Sequence, residues 1–67
     1  MIRMITGKQA CDLVEGDVIT ASNGENRTVY ITFSAREGFF VTYQGGGSDR
    51  FHPYDLIDFP FPQPSRN

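Results

Sequence analysis

The chain reads as an all-β protein: a small, strongly bent barrel of five short strands, with one short helical turn and a Pro-rich C-terminal tail. Three observations predict this. Residues 27–34 and 39–43 are rich in β-branched and aromatic side chains and alternate in polarity, the period of a half-buried strand. Turn formers (Asn23-Gly24, Gly38, Gly45 to Gly47) interrupt the chain too often for long helices. The chain has 67 residues. A domain of that size buries only about 60% of its unfolded surface, so its strands must curl onto one shared core.

The elements follow in order. In "TGKQACDLVEGD", Thr6 is placed to cap a helical turn or tight loop, with Ala10, Leu13 and Val14 on one side and Leu13 tucked into the core. Gly16 breaks it, and "VITAS" at 18–22 is the first strand. Asn23-Gly24 is a hairpin signal of the type I′ kind, which needs positive φ at both residues. "RTVYITFS" at 27–34 then places Val29, Ile31 and Phe33 inward and Thr28, Tyr30 and Thr32 outward. "AREG" at 35–38 turns the chain, with Gly38 suited to a left-handed position. "FFVTY" at 39–43 sends Phe39 and Val41 to the core with Tyr43 at its margin, and Phe40 and Thr42 outward. "QGGGSD" is a connection, because strand interiors disfavour glycine. "DRFH" at 49–52 is a short strand, and Pro53 opens a single tight turn of 3₁₀ character. "LIDF" at 56–59 closes the barrel. The domain is therefore expected over 1–59 and an extended, polyproline-like tail over 60–67.

Composition narrows the function classes. Six Lys and Arg against eight Asp and Glu give a net charge of −2. A protein that neutralises many phosphates carries a basic excess, so this balance counts against nucleic acid. No apolar run approaches the ~20 residues of a membrane helix, and "MIRMITGK" lacks the features of a signal peptide. The chain reads as a complete cytoplasmic gene product. The lone Cys11 leaves no internal disulfide and no thiolate metal cluster. One His, one Cys, and Ser and Thr without spaced partners assemble no catalytic set. Asp55 and Asp58 read as a solvated pair. Gly45 to Gly47 lack the Lys and helix of a phosphate loop. No cofactor, metal or catalytic residue is expected.

"ACDLVEGDVI" at 10–19 and "DRFHPYDLIDF" at 49–59 resemble the entry and the closing segment of small Src-homology-3-type barrels of bacteria and phages. In these an apolar residue and Gly-Asp precede the first long strand, and a Pro turn precedes the last. The resemblance spans 10–59 and implies an architecture, not an activity. The loop order is also similar to that of plasmid-type (type II) dihydrofolate reductases, tetramers with a central active pore. That family's Val-Gln-Ile-Tyr stretch before the Pro is replaced here by Asp49, Arg50, Phe51 and His52, so the residues that carry its activity are changed.

A binding role is the main expectation. Tyr30 and Phe40 are read as neighbours on the outer face, with Arg27, Arg36, Tyr43, Arg50, His52 and Tyr54 around them. Aromatic and Arg side chains together are what protein interfaces concentrate. The partner expected is another protein or further copies of this chain. The alternatives are single-stranded nucleic acid, stacked on the rings and held by guanidinium groups, and a reductase-like oligomer. Against all of these stands the reading in which Tyr30 and Phe40 are simply covered by the tail or the N-terminal segment.

Overall fold

The computed structural model describes residues 3–65. Among them are six strands and one 3₁₀ turn. The order is β1 (Met4–Gln9), the 3₁₀ turn (Ala10–Asp12), β2 (Val18–Thr20), β3 (Asn26–Ala35), β4 (Gly38–Tyr43), β5 (Ser48–Phe51) and β6 (Leu56–Pro64). The protein is all-β. Strands β2-β3-β4-β5 form an antiparallel meander, and β1 pairs antiparallel with β6.

The first difference from expectation is β1. Thr6 lies inside this strand and caps nothing; the helical turn comes later, at Ala10–Asp12, and Leu13 behind it is buried as expected. A Cβ on Gly7 would stand 2.7 Å from the Ile57 carbonyl oxygen, so glycine lets β1 lie tight against β6. At the other end, residues 52–55 form a plain turn closed by the Asp55 N–H on the His52 carbonyl (3.0 Å), with the Asp55 carboxylate accepting from His52 N–H. β6 then continues through residues 60–64. Pro60 and Pro62 fall in an irregular stretch between Gly7↔Asp58 and Ile5↔Gln63, where no ladder bond is asked of them. Tail residues 66 and 67 lie outside the described residues.

The second difference reorganises the main hairpin. Arg36 and Glu37 make a two-residue turn, so Ala35 pairs with Gly38 and Phe33 with Phe40. Val29 pairs with Tyr43 but Ile31 with Thr42, which leaves Tyr30 as an extra residue in a bulge. The bulge reverses the facing of everything after it. Val29 is fully buried, whereas Ile31 and Phe33, expected in the core, are 55% and 54% exposed. Thr32 and Ser34 instead lie opposite Val41 and Phe39. On β4 the expected inward pair, Phe39 and Val41, is buried, and Tyr43 joins it at 3% exposure rather than sitting at a margin.

The Asn23-Gly24 turn also differs in kind. Gly24 has φ +88°, no described non-glycine residue has positive φ, and Gly24 N–H bonds the Ala21 carbonyl. That is a three-residue loop with a single left-handed glycine, not a type I′ pair. The triple glycine shows why three are needed: Gly45, Gly46 and Gly47 have φ of +85°, +108° and +86°. Three consecutive left-handed positions would strain any residue with a Cβ.

The core holds Ala10, Leu13, Ile19, Ala21, Val29, Phe39, Val41, Tyr43, Ile57 and Phe59. Two polar devices join the β1–β6 pair to the meander. Lys8 reaches Asp17 at 2.9 Å in a buried ion pair, and Asp17 also accepts from Val14 N–H. Gln63, 4% exposed, accepts from Val18 N–H at 2.8 Å and donates to the Val18 carbonyl at 2.7 Å, as a neighbouring strand would.

Candidate functional site

The bulge at Tyr30 builds the surface that stands out. Beyond it, Ile31 and Phe33 of β3 and Phe40 and Thr42 of β4 share the outer face. The Phe33 and Phe40 rings stack with centroids 5.0 Å apart and planes 13° from parallel. Arg50 of β5 is the next residue across from Phe40. Its stem lies over Gly38, where a Cβ would meet Arg50 Cγ at 3.0 Å. The result is a row running Phe33, Phe40, Arg50 across three strands, with Ile31 beside it. Aromatic pairs in this geometry attract each other beyond simple burial, which holds both rings in place.

The residues expected to form one face fall in three places. Phe40 and Arg50 lie on the outer row, but the cross-strand neighbour of Phe40 is Phe33, not Tyr30. Tyr30 projects from the bulge, 55% exposed, into a shallow depression of about 510 Å³ shared with Glu15, Thr42 and the glycine loop. Arg36, Arg50 and His52 line a second depression of about 450 Å³, beside Gly38, Pro53 and Asp55. Tyr54 is 69% exposed; its N–H donates to His52 Nδ1 at 3.2 Å, and its ring leans on the imidazole.

Tyr43 is buried at the wall of the Tyr30 depression, Arg27 lies apart from the outer row, and both serve the glycine loop. Tyr43 is inside, donating its hydroxyl to Asp49 at 2.6 Å. The Arg27 guanidinium lies 5.5 Å from the Tyr43 ring centre and donates to the carbonyls of Gln44 and Gly46. Burial, and then the bond to Asp49, push the Tyr43 hydroxyl above its ordinary range. Burial works to raise the Asp49 carboxyl, but hydrogen bonds from Ser22 and Tyr43 outweigh it and hold the group below the usual carboxylate value. This cluster tethers the Ser22 loop to β5.

Chemistry-bearing groups do not converge. Among the described residues no group of three or more His, Cys, Asp or Glu could hold a metal ion. Asp55 is engaged by the His52 amide, and Asp58 sits in β6 opposite Gly7. Of the stretch set against the reductase motif, Phe51 packs on the core while Arg50 and His52 are exposed. No described helix is long and apolar enough to cross a membrane.

Sequence reasoning missed Ile31 and Phe33 as surface residues because strict alternation placed them inside. The signal was present in the turn, since a two-residue connection pairs odd positions with even ones and cannot put Phe33 on the same face as Phe39. No protein-family model, curated protein or solved structure matches the chain.

Proposed function

We propose that this chain is a non-enzymatic binding module of the Src-homology-3 type that recognises protein through the outer face of β3 and β4. The architecture fits that reading: β3-β4-β5 form a meander, a Pro turn follows, and β6 closes against the first strand. The observation that carries the function is Phe33, more than half exposed and stacked on the half-buried Phe40, with the equally exposed Ile31 beside it on the sheet face. Fully burying a Phe or Ile side chain contributes about 1.5–3 kcal/mol. Covering the remaining half of Phe33 and of Ile31 therefore offers about 2–3 kcal/mol to a partner.

Panning a displayed random-peptide library on the immobilised chain tests this, with the Phe33→Ser/Phe40→Ser double variant as counter-selection. The expected result is a set of peptides retained by the wild type and lost on the double variant. Equal retention by both proteins, or no enrichment, overturns the reading. Binding of oligothymidylate at low salt that weakens steeply as salt rises, with no peptide enriched, would instead assign the rings to single-stranded nucleic acid.

A further inference from the structure

β3 outlasts its neighbour. The chain around β2 engages β3 only as far as Val29, through Gly16 N–H on the Val29 carbonyl (2.9 Å) and Val29 N–H on the Asp17 carbonyl (2.8 Å). From Tyr30 to Ala35, β3 has β4 on one side and no strand on the other among the described residues. The alternation of ladder bonds identifies the groups left over. Tyr43 N–H bonds the Gly47 carbonyl, so Tyr43, Val41 and Phe39 turn their backbone groups towards β5, and Thr42, Phe40 and Gly38 turn theirs towards β3. On β3, Ile31, Phe33 and Ala35 answer β4. Thr32 and Ser34 therefore point their N–H and C=O groups away from the sheet.

In solution water meets these groups, and they are a template on which a further extended strand can pair in its place. Residues 28–35 contain no charge, no Gly and no Pro, and so lack the devices that keep edge strands apart. We infer that a second copy of this chain pairs with it, β3 antiparallel to β3, on a two-fold axis at Phe33. In this register Thr32 faces the second copy's Ser34 and Ser34 faces its Thr32, each pair exchanging two main-chain hydrogen bonds. Phe33 meets the second copy's Phe33, and Ile31 meets its Ala35. The outer face then carries an unbroken aromatic row from Phe40 through both Phe33 rings to the second copy's Phe40. Pairing is confined to 31–35, so β2 on each copy stays where it is. Arg36 and Glu37 of the turn bring one charge of each sign to the rim.

The edge at the far end of the meander, β5, does not suit a copy of itself. There the outward groups belong to Ser48 and Arg50. A two-fold on Asp49 sets two carboxylates opposite each other, and one on Arg50 sets two guanidinium groups opposite each other. The β3 register meets neither conflict. This inference rests on the outer face being a recognition surface and names its partner. The contact is smaller than a standard interface of about 800 Å² per partner, so a reversible dimer with Kd of roughly 0.1–1 mM is expected.

Sedimentation of the full chain from about 10 μM to about 1 mM tests it. The mass should rise from 7.5 kDa towards twice that value. Hydrogen exchange at the Thr32 and Ser34 amides should slow over the same range, while exchange at Asp49, already in the ladder, should not change. Phe33→Arg places like charges on the axis at an exposed site, and Thr32→Pro removes an outward N–H that β4 does not use; each should weaken dimerisation at least about tenfold. A monomer throughout, or a dimer that survives Phe33→Arg, overturns the proposal. A dimer lost with Phe33→Arg but kept in folded Thr32→Pro also overturns edge pairing, yet leaves the outer face as a binding surface. Peptide enrichment on a strictly monomeric protein would have the same meaning.

Discussion

Replacing Gln63 with Leu should cost more than any surface change of similar size. The Gln63 side chain holds both backbone groups of Val18, at 2.8 and 2.7 Å, and is the only described side chain that does so for another strand. Leucine keeps the volume and removes both bonds. Each hydrogen bond contributes about 1 kcal/mol net, and a polar group left without a partner costs about 1–3 kcal/mol when fully buried. Val18 is only half-buried, so water relieves part of that penalty and a loss of about 2–3 kcal/mol is expected. At about 2.1 cal/mol/K per residue, a domain this size has an unfolding entropy of about 0.14 kcal/mol/K, so the midpoint should fall by about 15–20 °C. Calorimetry and urea titration would measure it. Gln63→Glu is the sharper control. One oxygen can still accept from Val18 N–H, but the other faces the Val18 carbonyl, which favours the protonated form and raises the folded-state pKa. Stability of that variant should be highest below the ordinary Glu value and fall as pH rises through it. A shift in Gln63→Leu below about 0.5 kcal/mol, or a pH-independent Gln63→Glu, would show that Gln63 does not hold the two sheets together.

Asp17→Ala should destabilise by about 3–5 kcal/mol in urea titration, because it leaves the Lys8 ammonium buried; the double change Lys8→Met/Asp17→Leu should cost less than the single one. Gly46→Ala meets no atom within 4 Å, so its cost, about 1–2 kcal/mol by the same assay, should come from the +108° φ alone. Asp49 is held below its usual value, so its contribution is present above the unfolded carboxylate pKa and is lost as pH falls through the folded one. Tyr43 is raised, so its contribution is present below the unfolded phenol pKa of 10.0 and is lost as pH rises beyond it. The melting temperature should therefore drop at both extremes, and Asp49→Asn should flatten the acid limb. Deleting Tyr30 should convert the bulge to a regular ladder without turning Phe33 inward, at a cost below about 1.5 kcal/mol; an NMR contact between the Phe33 and Phe40 rings should persist, and its loss with burial of Phe33 would refute the register.

Much of the fold was legible because local chemistry and tertiary structure agree there. The strand runs, the glycine connection, the Pro53 turn and the inward placement of Phe39 and Val41 all follow from alternation and turn residues. Three elements were not legible. β1 carries Gly7 and two long polar side chains, Lys8 and Gln9, and is a strand only because β6 lies beside it. The prolines of β6 speak for a loose tail until Gln63 is seen gripping Val18. The buried Lys8–Asp17 pair is invisible in a sequence where charge normally marks surface. Of the site, Phe40 and Arg50 were legible and Phe33 and Ile31 were not. Tyr43 and Arg27 were misplaced because their work is to hold the glycine loop.

The exposed rings are not a local fault that the chain could repair by rotating β3. Facing is coupled across the hairpin. The Arg36–Glu37 turn fixes Phe33 to the same face as Phe40, so turning Phe33 and Ile31 inward would turn Phe39, Val41 and Tyr43 outward. Each of those large side chains loses about 1.5–3 kcal/mol on exposure, and Tyr43 would also surrender its bond to Asp49 and its contact with Arg27. Ile31, Phe33 and Phe40 would be gained against Phe39, Val41 and Tyr43, with Phe51 drawn out beside Phe39, so apolar burial alone offers no gain and the lost Tyr43 contacts tip the exchange against rotation. The single extra residue, Tyr30, lets Val29 enter the core while β4 keeps its own inward set. The aromatic row is thus held outward by the packing of the interior, and among the described residues no strand lies over it.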